Sequence, residues 1–206
     1  MRVAVLGGTG PFGRALARRL REAGHDVVIG SRDGARAQEV AGELGVEGAQ
    51  NPEAAKGAGL VVLAVNAEAA VQTAKTLARA IGSTPLLCVA SELRMGADGA
   101  RPGAEGRSLA ERVGDAVAGP VVAGLHSLGA RTLAGDQLPE EDALVCGDDA
   151  DAKELALGVA SDLVAGRALD AGPLASARAL EGMTAVLVNL NRRYKAHAGL
   201  RVTGLP

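Results

Sequence analysis

Aromatic residues, cysteines and long apolar runs are all scarce in this chain of 206 residues. It has no tryptophan, one tyrosine and one phenylalanine, which excludes a nucleic-acid interface built on stacked aromatic side chains. The formal net charge of −2 also gives no reason to expect a nucleic-acid or membrane partner. No apolar run approaches the length of a membrane span, and the apolar start is too short for a signal peptide, so we expect a cytoplasmic protein.

The two cysteines, Cys88 and Cys146, stand alone in the sequence. They form no C-x-x-C pair, and neither has a histidine beside it. This pattern is typical of buried, reduced thiols, and it predicts no metal site.

What the chain does have is a strand, a glycine-rich turn and a helix at its start. The apolar run Val3–Leu6 shows no polar alternation, which predicts a buried parallel strand, and a helical pattern follows from Pro11 to about Glu22. The residues between them fit the G-x-G-x-x-G pattern of dinucleotide-binding turns, in which the first glycine makes the tight turn, the second admits a pyrophosphate and the third lets the helix pack closely. The predicted cofactor-binding turn consists of Gly8, Thr9, Gly10, Pro11, Phe12 and Gly13.

The end of the second predicted strand, Asp26–Gly30, indicates which dinucleotide binds. NAD sites usually have an aspartate or glutamate there, whose carboxylate accepts a hydrogen bond from the ribose 2′-hydroxyl. Here the next residues are Ser31 and Arg32, with Arg36 one helical turn further on. A hydroxyl and two guanidinium groups bind a 2′-phosphate by charge-assisted hydrogen bonds, which favours NADP(H). The alternative for Arg36 is a solvated surface side chain.

The rest of the chain alternates apolar strands with helical patterns, which predicts an α/β Rossmann-type NAD(P)-binding fold. We expect a mostly parallel sheet with helices on both faces, and a small C-terminal α/β portion that ends in a long helix. The expected division is an NADP-binding domain over 1–140 and a smaller portion over 141–206. Val65, at the end of the strand predicted over 60–65, is expected to line the nucleotide. The predicted strands are 60–65, 85–89, 121–125, 143–146 and one near 168–169. The predicted helices are 34–44, 52–58, 66–80, 152–164 and 174–194, and a further helix is expected to begin at Ser108, which fits a capping box with Glu111. A functional or mobile loop is expected over 95–106.

Several longer blocks go beyond what a generic Rossmann fold requires. They are Arg2–Gly13, Ile29–Arg32, Gly147–Asp149, Leu169–Pro173 and Asn191–Thr203. Through these blocks the whole chain resembles the NADPH-dependent coenzyme F420 reductases. The resemblance implies hydride transfer between NADP(H) and the deazaflavin coenzyme F420, in a cytoplasmic homodimer whose partners are small molecules, not nucleic acid or membrane.

The resemblance also implies roles for individual positions. In the family, NADP is contacted at the positions that correspond here to residues 9–12 of the turn and to Ser31, Arg32 and Arg36. The nicotinamide half of the cofactor is expected at Ala67, Val71 and Ala130. His126, Leu128 and Thr184 match family positions that line the junction between the two rings. We expect the catalytic residues there. The chain departs from the family pattern at Asn66, at 90–93 and at Gly182, where family members have a proline, a proline-containing stretch and a pocket hydroxyl.

Three assignments stay open from the sequence. His126 either polarises the second ring or satisfies nearby backbone, and the Thr184 hydroxyl either reaches the pocket or bonds to a carbonyl of its own helix. The basic cluster Arg192–Lys195 either binds the anionic tail of the deazaflavin coenzyme or the partner subunit, or is a solvated helix end.

Two other functions compete with F420 reduction. One is an NADPH-dependent reductase of another small substrate, such as an imine, a ketone or a ferric compound. The other is a non-catalytic NADP-binding module, since fold does not fix function. The sequence shows no evident acid–base pair, which weighs against carbonyl reduction because that reaction usually needs a proton donor.

Overall fold

The computed structural model describes residues 1–103 and 106–205. Its strands are β1 (Arg2–Leu6), β2 (Asp26–Ser31), β3 (Glu47–Gln50), β4 (Leu60–Leu63), β5 (Leu86–Cys88), β6 (Leu93–Gly96), β7 (Gly99–Pro102), β8 (Val121–Gly124), β9 (Ala143–Gly147) and β10 (Ala168–Asp170). The central strands β1, β2, β4 and β8 are rich in valine, a residue that favours strands. The helices are α1 (Pro11–Glu22), α2 (Gly34–Leu44), α3 (Asn51–Ala55), α4 (Ala67–Ile81), α5 (Leu109–Gly114), α6 (Ala130–Leu133), α7 (Ala150–Ser161) and α8 (Ala177–Tyr194), the last preceded by a 3₁₀ turn at Leu174–Ser176.

One eight-stranded sheet has the order β10-β9-β8-β5-β4-β1-β2-β3. The strands from β3 to β8 along this order pair in parallel, whereas β9 pairs antiparallel with β8 and parallel with β10. The prediction of a mostly parallel Rossmann-type sheet is therefore confirmed. The strand order reverses beside β1, and in such sheets the ligand crevice lies at the carboxyl ends of the strands around that point. The division at residue 140 stays a prediction, although β9 and β10 continue the same sheet.

Apolar side chains cover both faces of the sheet, as its uniformly buried strands require. On one face α1, α2 and α7 bury Leu16, Leu20, Val40 and Val159 against β1, β2 and β8. On the other face α3, α4, α5 and α8 supply the second core cluster, which includes Leu77. Both cysteines are free and buried, as predicted, and burial raises the pKa of each thiol to about 12. Among the described helices none is both long and apolar enough to cross a membrane.

The segment over 95–106 differs from its prediction as a loop. Its described part contains an antiparallel hairpin, β6–β7, in which Gly96 pairs with Gly99. The hairpin is held from outside: the Asn189 side chain on α8 accepts from the Ala100 amide at 2.7 Å and donates to the Ala100 carbonyl at 2.8 Å. This clamp joins residues far apart in sequence, so no local pattern reveals it. Residues 104 and 105 of the predicted loop lie outside the described residues.

Helix α8 also supports the start of α5. The carboxylate of Glu181, which is 4% exposed, accepts hydrogen bonds from the amides of Leu109 at 3.1 Å and Ala110 at 3.2 Å. These amides are free donors of a helix start, so a buried carboxylate satisfies them well. The predicted capping box of Ser108 with Glu111 is confirmed at the same helix end.

The chain's last residues are bound to the start of β9. The Asp142 amide donates to the Leu200 carbonyl at 2.7 Å, and the Asp142 carboxylate accepts from the Val202 amide at 2.8 Å and from Arg167 at 3.0 Å. Beside it, the Glu141 carboxylate accepts from the Leu200 amide at 3.3 Å and is 6% exposed. Burial raises the pKa of Glu141 to about 7, whereas Arg167 and two backbone amides hold the pKa of Asp142 well below its usual value.

Candidate active site

The turn after β1 is shaped by glycines with different roles. Gly7 has a φ of +85°, so the tight turn depends on Gly7 and the sequence assignment of that role to Gly8 is wrong. A Cβ on Gly8 would lie 2.6 Å from Cγ2 of Ile29, so Gly8 is required for packing against β2. A Cβ on Gly13 would lie 2.5 Å from the Gly7 carbonyl oxygen, so Gly13 lets α1 pack closely on the turn.

Gly10 faces open space. A Cβ there would meet only the Gly7 carbonyl oxygen, at 3.4 Å, so the protein's own packing does not demand a glycine at this position. Among the described residues, the amides of Thr9, Phe12 and Gly13 have no acceptor, and they stand at the positive end of the α1 dipole. Free amides around an unfilled space are what a pyrophosphate needs, so the turn fits a dinucleotide.

The end of β2 opens onto the same space. A cavity of about 220 Å³ is lined by Gly7, Thr9, Gly10, Ser31, Arg32, Asn51, Ala64, Val65, Asn66, Ala69 and Thr73. The nearby Asp33 carboxylate caps α2 by accepting from the Arg36 amide at 3.1 Å. Asp33 does not line this cavity, and the groups that the β2 end offers to a ligand there are the hydroxyl of Ser31 and the guanidinium of Arg32.

Arg36 does not line this cavity. Its guanidinium is ion-paired with Glu39 on the next turn of α2, at 2.6 Å, and that carboxylate raises the Arg36 pKa. The side chain is about half exposed. The structure thus brings Ser31 and Arg32 to the predicted cofactor turn but leaves Arg36 on the surface of α2, and its contact with a 2′-phosphate stays a prediction.

A second cavity, of about 470 Å³, adjoins the first and contains residues that the sequence did not indicate. It is lined by Ser31, Arg32, Gln50, Asn51, Pro52, Glu68, Ala69, Gln72, Thr73, Thr76 and Leu77. Asn51 borders both cavities and is 6% exposed, and its side-chain oxygen has no hydrogen-bond partner among the described residues. The only available signal was that this residue precedes a proline at a helix start. The two cavities together combine apolar surface with a few polar side-chain groups, which is typical of small-molecule sites.

A third cavity, of about 490 Å³, lies where β4 and β5 end. It is lined by Val65, Asn66, Ala67, Glu68, Ala90, Ser91, Glu92, Leu93 and Arg94. Ala67, predicted to contact the nicotinamide half, and Val65, predicted to line the nucleotide, are therefore brought together. Val71 instead packs partly buried against the second core cluster, and Ala130 lines a different groove beside α1.

His126 and Thr184 meet next to this third cavity. The Thr184 hydroxyl donates to the His126 carbonyl at 2.9 Å and lies 2.8 Å from the Ser91 hydroxyl. Because Thr184 has one hydroxyl hydrogen and uses it on His126, Ser91 is the donor in the second bond. The hydroxyl thus bonds to other segments of the chain, and the alternative of a bond to a carbonyl of its own helix is not what the structure shows.

The His126 imidazole is 7% exposed, and neither ring nitrogen has a hydrogen-bond partner among the described residues. Burial lowers its pKa to about 4, and the nearby Ala90 backbone only partly offsets this, so the ring is neutral at pH 7. Both alternatives for His126, polarising a second ring and satisfying nearby backbone, therefore stay predictions. Leu128 is 6% exposed and packs in the first core cluster, where its amide donates to the Leu125 carbonyl at 3.0 Å.

The basic cluster at the end of α8 lies on the surface. Arg192, Arg193 and Lys195 are exposed, and Lys195 ends the helix in a left-handed conformation with φ of +51°. The residues lining the three cavities come from elsewhere in the chain. Binding of an anion or a second subunit by this cluster stays a prediction.

Known proteins resemble this chain over part or all of its length. Residues 2–87 match the family described as NADP oxidoreductase coenzyme F420-dependent. The F420-dependent NADP reductase of Methanothermobacter thermautotrophicus is 35% identical, with 100% of this chain and 96% of the relative covered. The F420-dependent NADP reductase of Methanocaldococcus jannaschii is 32% identical, with 100% and 99% covered.

Solved structures share the fold. A provisionally assigned F420-dependent NADP-reductase of Arthrobacter sp. FB24 superposes with a TM-score of 0.88 at 24% identity, covering 99% of this chain and 100% of that one. The Streptomyces aurantiacus imine reductase superposes with a TM-score of 0.63 at 20% identity, covering 95% of this chain and 62% of that one. At these identities the likeness speaks for the fold alone.

Proposed function

The chain belongs to the family of F420-dependent NADP reductases, and we propose that it transfers a hydride between NADP(H) and the deazaflavin coenzyme F420 on the carboxyl edge of its sheet. The identity of 35% and 32% to two F420-dependent NADP reductases, each over the whole of this chain, supports this activity. The observation that carries the assignment of the site is the open space over Gly10. Free amides surround it, and the cavity there extends to Ser31 and Arg32.

The residues present fit NADP(H). The amides of Thr9, Phe12 and Gly13 would bind the pyrophosphate, and Ser31 and Arg32 would bind the 2′-phosphate by charge-assisted hydrogen bonds. Since Asp33 lines neither of the two cavities at the end of β2, it does not take the place of the ribose-binding carboxylate of NAD sites.

Hydride transfer requires two carbon atoms, one on each ring, to be held about 3–3.5 Å apart with their faces aligned. The cofactors supply the chemistry, so the protein's part is to place and polarise them. In the third cavity the small side chains of Ala67 and Ala90 leave room for two flat rings to approach each other. The hydrogen bonds joining Ser91, Thr184 and His126 hold one wall of this site.

His126 would act as a neutral hydrogen-bond donor. With its pKa lowered to about 4, the ring is not a cationic acid at pH 7, but its unpartnered N–H remains available. Such a donor stabilises negative charge that develops on a ring carbonyl without transferring its proton. Leu128 would contribute by packing beneath this segment.

A homodimer is part of the same proposal. Val186, Leu190 and Tyr194 follow one another at four-residue spacing on α8, and they are 57%, 38% and 68% exposed. An exposed apolar stripe of this kind is typical of a helix that packs against a second subunit. Light scattering of the wild type and of Val186→Glu tests it: a dimer that becomes a monomer supports the interface, and a monomeric wild type contradicts it. The cytoplasmic location stays a prediction that cell fractionation tests.

The activity is tested by mixing the purified protein with NADPH and oxidised coenzyme F420. We expect the visible absorbance of the deazaflavin to bleach at the rate at which NADPH is oxidised, and NADH to be a much poorer donor. Bleaching that fails while NADPH still binds would favour a non-catalytic module. Oxidation of NADPH by imines or ketones in place of the deazaflavin would favour the other reductase.

A further inference from the structure

The third cavity, at the ends of β4 and β5, is continuous with the cavity at the nucleotide turn. Val65 and Asn66 line both of them. A dinucleotide whose pyrophosphate lies over Gly10 therefore extends past these two residues into the third cavity. Its nicotinamide end is then the part that reaches the opposite wall of that cavity, which includes Ser91.

Two hydrogen bonds in series fix the direction of the Ser91 hydroxyl. The backbone carbonyl of His126 can only accept, so the Thr184 hydroxyl, 2.9 Å away, donates to it. The Thr184 hydroxyl has no second hydrogen for the Ser91 oxygen, which lies 2.8 Å away, so Ser91 donates to Thr184. The series has a single direction because it ends at a carbonyl oxygen.

This direction decides what Ser91 can offer to a ligand. The side chain is partly buried and lines the third cavity. Since its one hydrogen is engaged by Thr184, the oxygen presents lone pairs to the cavity and accepts hydrogen bonds without donating them. A ligand group that carries an N–H gains a hydrogen bond at this place, whereas a methyl group in the same position gains none.

The nicotinamide ring carries a group of this kind, because the NH₂ of its carboxamide supplies two donors. We propose that Ser91 is a specificity-determining residue for the cofactor: its oxygen accepts a hydrogen bond from the carboxamide NH₂ and thereby sets the orientation of the nicotinamide ring. This inference rests on the proposed function, which places that ring in the third cavity. The fixed direction of the hydroxyl carries it, since a freely rotating serine would accept and donate equally well.

Two carboxylates in the same cavity are the competing acceptors. Glu92 is ion-paired with Arg112 on α5. Glu68 lies in the first turn of α4 and is exposed, so an amide there only replaces water that already hydrates the carboxylate. The Ser91 oxygen is less exposed and is held by the bond to Thr184, which lowers the entropic cost of a contact with the cofactor.

The test compares NADP⁺ with its 3-acetylpyridine analogue, in which a methyl group replaces the amide NH₂ and the rest of the molecule is unchanged. Calorimetric titration gives the Kd of each ligand for the wild type and for Ser91→Ala. We expect Ser91→Ala to raise the Kd for NADP⁺ about fivefold, the effect of losing one neutral hydrogen bond. The Kd for the analogue should change by no more than about twofold. Glu68→Ala is the matched control on the competing acceptor, and it should leave the ratio of the two Kd values unchanged.

Three results would overturn the inference. An unchanged Kd for NADP⁺ in Ser91→Ala would show that the carboxamide lies elsewhere. Equal rises for both ligands would show that Ser91 only supports the wall, and a change of ratio in Glu68→Ala would assign the contact to that carboxylate.

The titration contains no second substrate, so it separates this inference from the proposed function. If the ratio depends on Ser91 but the protein does not bleach coenzyme F420 in the presence of NADPH, the inference holds and the proposed reaction is wrong. If the deazaflavin is reduced normally while the ratio is indifferent to Ser91, the reaction holds and the inference is wrong. A rise in the KM for coenzyme F420 alone would likewise overturn it, because Ser91 would then contact the second ring.

Discussion

The hydroxyl of Thr184 on α8 is hydrogen-bonded to the backbone carbonyl of His126, 2.9 Å away. The same oxygen accepts from Ser91, so three segments distant in sequence meet at one atom. This atom stands where the sequence resemblance expects the two rings to meet, which makes it the natural first target for substitution.

Thr184→Val keeps the shape of the side chain and removes the hydroxyl. It leaves the His126 carbonyl and the Ser91 hydroxyl without their partner, so we expect unfolding free energy to fall by about 1–3 kcal/mol. We also expect kcat to fall more than the KM for NADPH rises, because the wall beside the second ring loses its support. Thr184→Ser, the matched control, retains both bonds. Equal stability and kcat in the valine variant would contradict this role.

The two glycines Gly10 and Gly13 should respond in opposite ways to alanine. Gly10 has φ of −78° and ψ of 164°, which any residue adopts, and its Cβ would fit the protein, so Gly10→Ala should change stability by less than about 1 kcal/mol. It should weaken NADPH binding by roughly tenfold or more, since the methyl group occupies the pyrophosphate space. Gly13→Ala should destabilise the fold by about 1–3 kcal/mol through overpacking.

Thermal unfolding and NADPH titration of the two variants measure this contrast. If Gly10→Ala binds NADPH as tightly as the wild type, the pyrophosphate does not lie on this turn.

Cofactor selectivity should depend on Arg32 more than on Arg36. Arg32→Ala removes the guanidinium that lines both cavities at the end of β2, so we expect the ratio of kcat/KM for NADPH over NADH to fall by roughly tenfold or more. Arg36→Ala removes a side chain already paired with Glu39, so the ratio should fall by less than about threefold. A larger loss from Arg36→Ala would show that its ion pair opens to receive the 2′-phosphate.

The pH dependence of stability should contain a contribution from Glu141. Its pKa is about 7 in the folded chain against an ordinary value of 4.5, so the folded state holds the extra proton between these pH values. This contribution is complete below pH 4.5 and is lost as pH rises to about 7, an effect of at most about 3 kcal/mol.

Glu141→Gln cannot ionise, so the variant should gain stability relative to the wild type as pH rises through this window. His126, whose pKa is lowered to about 4, contributes with the opposite sign, but equally to both proteins. Urea unfolding at pH 4, 5.5 and 8 gives the difference. A difference that stays constant with pH would show that Glu141 is ionised normally in the folded chain.

The sequence predicts most strands and helices of this protein because each of them depends on a local residue pattern. The apolar runs at Val3–Leu6 and Leu60–Leu63, the proline start of α1 and the capping box at Ser108 each form what their spacing predicts. Arg32 and Val65 line cavities because the ends of adjacent parallel strands share one edge of the sheet.

The remaining features depend on contacts between distant residues. The assignment of the tight turn to Gly8 is wrong because the roles of Gly7, Gly8, Gly10 and Gly13 depend on backbone conformation and on the atoms that pack around each of them, which the sequence does not show. The hairpin over residues 93–102 forms because Asn189 binds the backbone of Ala100, and no pattern within the hairpin signals that partner. Asn51 at the nucleotide cavities was missed for the same reason.

Helix α8 fastens three separate places at once: the start of α5 through Glu181, the segment after β8 through Thr184, and the hairpin through Asn189. A fragment that stops at residue 140 would thus keep the glycine turn yet lose every one of these anchors. The proposed nucleotide site is thus encoded near the amino terminus, whereas the wall of the proposed second-ring site is complete only when the carboxyl-terminal third has been synthesised and docked.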